Sequence, residues 1–387
     1  MLPRRSISIL VAVAVFLFAW GFLISCPAAS GTAPALQDYI VKSWQTDDGL
    51  PVNAVNAMLQ DQPGYIWLAT IGGLERFDGV AFKQFSPPWL PRGADFNVGA
   101  LAQTADGTLL MLPVAGGVVG FKNGGFFRHE MSDALAGRQL QSLFVDPGGA
   151  VWVAGEDGQV RRWQAGKPVD FSPAAGLSAR SRVVFAADRA GGVWLASGGF
   201  LDCYQAGRLV RWSENRDSAA YTVIAASRSG GIWVCNNTRL FRIEDGRVLT
   251  VGTNLPWVAQ HDVPRELFED RHHVLWIGTS AHGLYCCVNG RFKPVAISQS
   301  QTTAIMEDSE SDLWVGTAGG GLNRLRPKLF QLYNTESGLP EDVSDSVCAD
   351  HLGVVWLANR NSGVVRIAEG TYQLSSTGVR RALRLTQ

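Results

Sequence analysis

Eight times along this chain a short apolar segment, usually centred on tryptophan, follows a tight polar turn, at a spacing of about 42 residues. The segments centre on Trp67, Trp152, Trp194, Trp233, Trp276, Trp314 and Trp356, with Leu109–Met111 standing in the second place without a tryptophan. In six of them an aspartate lies six residues earlier: Asp61, Asp146, Asp188, Asp270, Asp308 and Asp350. Ser227 takes that place in the fifth, and Asp106 opens a shorter turn in the second. A period in this range means one supersecondary unit repeated in tandem. It replaces the two or three domains that length alone suggests with a single array.

Residues 52–85 show the unit. Val52 to Leu59 alternates loosely and leads to the turn Asp61-Gln62-Pro63-Gly64, where Pro63 fixes φ and Gly64 tolerates positive φ. Tyr65 to Thr70 is a β-rich run, Gly72-Gly73 turns the chain, Leu74 to Phe77 is a third strand, and Asp78-Gly79 signals a hairpin into Val80 to Phe85. Asn123-Gly124-Gly125, Gln205-Ala206-Gly207, Glu244-Asp245-Gly246 and Val288-Asn289-Gly290 occupy the same hairpin place later on. Four antiparallel strands joined by tight turns make a propeller blade. Helical solenoids have similar periods but lack this density of hairpins, and no stretch carries a sustained 3.6-residue period. A parallel β-helix is the remaining alternative, although its rungs are usually shorter.

The expected fold is therefore all-β: a β-propeller of four-stranded antiparallel blades. In that plan each Trp fills the wedge between neighbouring blades, and each Asp caps its turn by accepting backbone N–H bonds. Tyr39 to Pro51 and Phe330 to Pro340 are similar, both ending in Gly-Leu-Pro, and each would be an outer strand leading into the next blade. The N-terminal copy has no blade before it, so it is expected to close the ring and leave no open edge. With seven blades, the favoured count, it completes the unit of 301–325; with eight, the unit of 342–367. The expected organisation is a signal peptide or membrane anchor over 1–35, the propeller over 38–330, an eighth repeat over 331–375 (a last blade or the start of a second, truncated propeller) and a tail over 376–387.

Formal net charge is zero, which argues against a nucleic-acid partner, since such a protein needs a basic face to offset phosphates. Arg4 and Arg5 precede an apolar run from Ile7 to Ser25, followed by small residues with a candidate cleavage site after Ala35. The run is also long enough for an uncleaved anchor, and Leu23-Ile24-Ser25-Cys26 resembles a lipobox that would be acylated on Cys26. All three readings place the domain in the periplasm or outside the cell. The other cysteines, Cys203, Cys235, Cys286, Cys287 and Cys348, are odd in number and irregular in spacing, so they describe no disulfide framework and read as small strand hydrophobes. Vicinal Cys286 and Cys287 would face opposite sides of a strand.

Gly49-Leu50-Pro51, then Asp61 to Thr70, then Gly73-Leu74-Glu75-Arg76-Phe77 resembles the two-component-regulator propeller repeat, and Asp308 to Thr317 with Gly321 to Leu325 repeats it, Ser311 replacing the turn glycine. The resemblance covers about residues 38–367. It implies a periplasmic sensor of the kind that precedes a histidine kinase or diguanylate cyclase. The chain departs from the full pattern: after residue 25 no apolar run could span a membrane, and neither a kinase phosphoacceptor motif nor a GGDEF run occurs. Signalling output would then come from a membrane signalling protein as partner, or from a segment missing from a truncated reading frame.

In a propeller the innermost strand comes first in each blade. Connections between blades then share one face with the loops between second and third strands, around the channel mouth, where binding residues concentrate. The candidates there are Trp89, Arg92 and Asp95; Arg138; Arg180; Asn215, Arg216 and Asp217; Asn236 and Asn237; Trp257 and His261; His282; and Arg360 and Asn361. Tryptophan stacking beside Arg and Asn donors suits a carbohydrate or other small ligand. His261, His272, His273 and His282 lie close in sequence, but the last-named and the first fall on the face opposite His272 and His273, so no metal site is expected. No cofactor is expected. No nucleophile elbow, H-E-x-x-H or P-loop occurs. A lyase-like or glycosidase-like propeller enzyme remains the alternative, with His261 or His282 as general base, and a protein-interaction scaffold is a further one.

Overall fold

The computed structural model describes residues 39–91, 96–164, 166–171, 182–214, 223–252, 255–328, 333–336, 338–352, 354–368 and 371–374. The N-terminal segment 1–35 and the tail 376–387 lie outside them. The described residues form eight four-stranded sheets, each antiparallel, built as a β-propeller. The first sheet runs Val55–Gln60, Ile66–Thr70, Gly73–Phe77, Phe82–Phe85 in spatial order. Five more repeat it over 98–128, 140–171, 184–214, 223–252 and 264–295.

The seventh sheet is assembled from both ends of the ring. Thr302–Glu307, Leu313–Thr317 and Leu322–Pro327 supply three strands, and Tyr39–Trp44 adds the fourth, in register from Tyr39 opposite Pro327 to Trp44 opposite Leu322. The innermost strands of the first and seventh sheets touch. The eighth sheet, Ser344–Ala349, Val355–Asn359, Gly363–Ala368 and Thr371–Leu374, supplies all four of its own strands.

In six of the eight sheets the repeated Trp and Asp form a bracket. The indole N–H of Trp67 donates to Asp61 at 2.7 Å, Trp152 to Asp146 at 2.8 Å, Trp194 to Asp188 at 2.7 Å, Trp276 to Asp270 at 2.8 Å, Trp314 to Asp308 at 2.7 Å and Trp356 to Asp350 at 3.0 Å. The second carboxylate oxygen accepts the backbone N–H four residues on, as in Tyr65 to Asp61 at 2.8 Å and Ala150 to Asp146 at 2.9 Å. One carboxylate thus pins the turn and orients the ring, with both of its oxygens satisfied.

Each oriented ring then packs forward onto the next blade. Trp67 meets Phe121 at 5.3 Å, Trp152 meets Tyr204 at 5.1 Å and Trp276 meets Tyr39 on the closing strand at 5.0 Å. Trp314 completes the cycle: it stacks on Trp44 at 5.5 Å and lies edge-on to Phe77 of the first blade at 6.0 Å. Leu50 of the Gly-Leu-Pro turn is buried in the same cluster. In the second blade the buried Leu110 replaces the ring.

Polar latches follow the same order. The backbone N–H just after the turn Asp, or after Ser227, donates to the last inner-strand side chain of the next blade: Arg228 to Glu269 at 2.7 Å, Arg271 to Glu307 at 3.0 Å and Ser309 to Gln60 at 2.7 Å. The Ser309–Gln60 bond joins the seventh blade to the first. The vicinal cysteines do face opposite ways. Cys287 packs with Cys235 and Leu255 toward the fifth blade, and Cys286 packs with Leu313 and Val315 toward the seventh.

Candidate functional site

The loop face is organised around buried Asp262, in the connection entering the sixth blade. Its carboxylate accepts Ser280 Oγ at 2.5 Å, the backbone N–H of Val263 at 2.7 Å, of His282 at 2.8 Å and of Ala281 at 3.1 Å, and lies 3.1 Å from His282 Nδ1. Burial pushes its pKa up, but the bonds from Ser280, Thr279, Val263 and His282 outweigh that and hold it well below the usual carboxylate range. The side chain of His282 is 40% exposed over a fully buried carboxylate. Nδ1 is held from below while the ring stays open to solvent. That is the geometry of an oriented imidazole able to accept or give a proton, or to donate a hydrogen bond to a ligand. Nearby, Gln260 Oε1 accepts the Tyr285 hydroxyl at 3.1 Å.

The other candidates separate. Arg138 precedes the third blade and reaches the second-to-third-strand loop of that blade, Nη1 donating to Asp157 at 3.0 Å. Asn236 tightens the corresponding loop of the fifth blade, its side-chain oxygen accepting the backbone N–H of Arg239 at 2.8 Å and of Thr238 at 3.0 Å. Asn237 is the next residue of that loop. His261 is exposed in a left-handed conformation, φ 55°, at the end of the 3-10 turn Val258–Gln260. Trp89 is exposed and lies edge-on to Phe126 at 6.4 Å.

Trp257 is a correction. It is fully buried, packed against Tyr285 at 5.8 Å and Phe292 at 5.6 Å in the wedge between the fifth and sixth blades, so it offers no surface to a ligand. Arg360, paired with Asp345 at 2.7 Å, and Asn361, bonded to Glu341, lie in the turn between the second and third strands of the eighth sheet. Arg92, Asp95, Arg180, Asn215, Arg216 and Asp217 lie outside the described residues. Among the described residues no group of three or more His, Cys, Asp or Glu could hold a metal ion. His273 is 3.0 Å from Glu269, at the turns of the opposite face.

The sequence reading expected a channel mouth but did not pick out Arg182 and Glu266 on the channel itself. A cavity of about 780 Å³ is enclosed by the inner strands, and Arg182 of the fourth blade reaches Glu266 of the sixth at 3.3 Å across it. The signal was present: Glu266 stands where the other inner strands carry Ala57, Ala100, Ser142 and Ala304.

Residues 49–72 match the family model of the two component regulator propeller. No curated protein matches the sequence. The extracellular domain of a proposed hybrid two component system from B. thetaiotaomicron, BT3049, is similar in structure, with a TM-score of 0.61 at 17% identity over 87% of this chain and 49% of that one. A second such domain from B. thetaiotaomicron, of BT4673, gives 0.61 at 15% over 86% and 46%. Virginiamycin B lyase from Staphylococcus aureus gives 0.61 at 14% over 74% of this chain and 99% of that one. The chain thus spans about half the length of the two extracellular domains it resembles. Among the described residues no helix is long and apolar enough to cross a membrane. Residues 49–72 thus carry a two-component regulator propeller repeat, and the chain as a whole has a β-propeller fold.

Proposed function

We propose that this propeller is the exported sensor of a two-component-type system. It takes up a carbohydrate or other small ligand at its loop face and passes the bound state to a membrane signalling protein. The observation that carries the reading is the arrangement at Asp262. A buried carboxylate with five donors on it fixes the loop 280–282 and presents His282, on a face to which Arg138 and Asn236 also belong. Fixed polar groups on a rigid ring are what selective binding of a polar ligand requires. The likeness to extracellular domains of two component systems supports the signalling part of the reading. The N-terminal apolar segment supports export, to the periplasm or beyond, with or without retention as an anchor or a lipid on Cys26.

The test is calorimetry on the full chain against neutral and acidic oligosaccharides. The expected result is saturable binding without turnover, weakened about tenfold or more by His282→Ala or Asn236→Ala. Absence of saturable binding across the panel would remove the reading. The His282–Asp262 pair also favours a second one, a propeller enzyme using His282 as general base. Conversion of a bound sugar, abolished by His282→Ala and retained by Asn236→Ala, would install that reading in place of the sensor.

A further inference from the structure

The central cavity is built unlike a mere gap between blades. It runs from the turns around Gln62, Thr104 and Pro147 to the Arg182–Glu266 pair at its other end. Its wall is apolar and aromatic: Phe144 and Phe185 lie parallel at 5.8 Å, with Phe268 also on the lining. At the end away from the turns stand Arg182, Glu266 and Gln141. Arg182 and Glu266 come from blades that are not neighbours, and the Gln141 side-chain oxygen is buried without a hydrogen-bond partner among the described residues. A buried acceptor on a cavity wall is one that a ligand donor can satisfy. Burial pushes the Glu266 carboxyl above its ordinary range despite Arg182, so this charge is poorly solvated where it stands.

We propose that the channel binds a small zwitterion with an apolar side chain, an aromatic α-amino acid or the equivalent. The ligand carboxylate pairs with Arg182, its ammonium group with Glu266 and the Gln141 oxygen, and its side chain lies among the phenylalanines. The charge balance selects this class. A ligand with a single charge would satisfy one member of the pair and leave the other without its partner, whereas a zwitterion inserted between them leaves both compensated. The cavity volume of about 780 Å³ holds such a molecule with its waters. This site is separate from the Asp262 loop and stands or falls independently of it.

The experiment is calorimetry of the full chain with L-phenylalanine, 3-phenylpropanoate and 2-phenylethylamine. L-Phenylalanine is expected to saturate one site, with each half-charged analogue weaker by about tenfold or more. Arg182→Gln and Glu266→Gln should each lose about tenfold or more in L-phenylalanine affinity. Failure of L-phenylalanine to saturate, or equal binding of all three probes, overturns the proposal. Oligosaccharide binding lost in His282→Ala would still sustain the loop-face reading in that case.

Discussion

The indole N–H of Trp233 donates to Glu269 Oε2 at 2.8 Å, across the interface from the fifth blade to the sixth. The other bracketed tryptophans bond an aspartate of their own turn. Here Ser227 has removed that aspartate, and the neighbouring blade supplies the carboxylate. Glu269 also accepts the Arg228 backbone N–H and lies beside His273. Burial pushes its pKa up, yet these bonds from Arg228, Trp233 and His273 hold it below the ordinary value. One side chain therefore serves as both bracket and latch.

Removing it should be costly, and the cost should be reparable. Glu269→Ala leaves a partly buried indole donor unpaired and is expected to destabilise the chain by about 1–3 kcal/mol in urea melts. Ser227→Asp alone sets a second carboxylate against Glu269 and should also destabilise. Combined, Ser227→Asp restores the local bracket, so the double variant should be more stable than Glu269→Ala alone by about 1 kcal/mol or more. Additive losses in the cycle would show that the bond from Trp233 is not what Glu269 provides.

Trp44 on the closing strand touches both sides of the ring seam, stacked on Trp314 and edge-on to Phe77 at 5.2 Å. Trp44→Ala is expected to cost about 3–5 kcal/mol by opening a cavity there. Ile40→Ala on the same strand, at an exposed position, should cost less than about 0.5 kcal/mol. Similar losses in the two variants, measured by chemical denaturation, would contradict closure through the Trp44 face.

These relationships divide what the sequence disclosed from what it did not. Asp61 and Trp67 were visible as a spaced pair because the period repeats them, and a turn cap could be read from Asp61 alone. The bond from the Trp67 indole to the same carboxylate was not, because it depends on how a strand leaves its turn. Nothing in the repeat pattern marks Glu269 and Glu307; only ring geometry brings them to the N–H groups of Arg228 and Arg271, 41 and 36 residues away. Trp257 was misread because a tryptophan in a connection outside the repeat resembles a binding residue. Its burial comes from Tyr285 and Phe292 on a blade the local sequence does not mention. At the loop face, His282 could be picked out by type, whereas its alignment by Asp262 required the connection to fold back over the loop.

Glu75 carries a pH dependence that can be measured. It is fully buried, Thr70 Oγ1 lies 3.1 Å from Oε1, and Oε2 has no partner among the described residues. Burial raises its pKa to about 7, against the lowering effect of Thr70. The folded state therefore holds the proton more tightly than the unfolded chain, so stability falls as pH rises from the unfolded pKa of 4.5 toward 7 and levels off above it. The full span is about 3 kcal/mol. Glu75→Gln should flatten this part of the profile and be more stable than the parent at pH 8 than at pH 5. Parallel profiles for parent and variant would show that Glu75 is ionised in the fold throughout.

The eighth sheet poses the last test. Its apolar cluster of Leu339, Val365 and Ile367 is completed by Tyr333, Val355 and Leu357, all from residues 333–367, with no residue of the ring in it. Its first strand, the one that packs on a neighbour in each other blade, leaves Val347 64% exposed. The ring, by contrast, is already closed by Tyr39–Trp44 and by the bond from Ser309 to Gln60. A sheet that shares no core with the ring adds nothing to the ring's cooperative unfolding and leaves an open edge of its own. We therefore expect removal of residues 328–387 to leave the melting temperature of the ring within about 2 °C of the parent and to reduce self-association. A large fall in melting temperature would mean that the sheet docks on the ring as a working eighth blade, and that the seam at Trp44 is not the one that holds it.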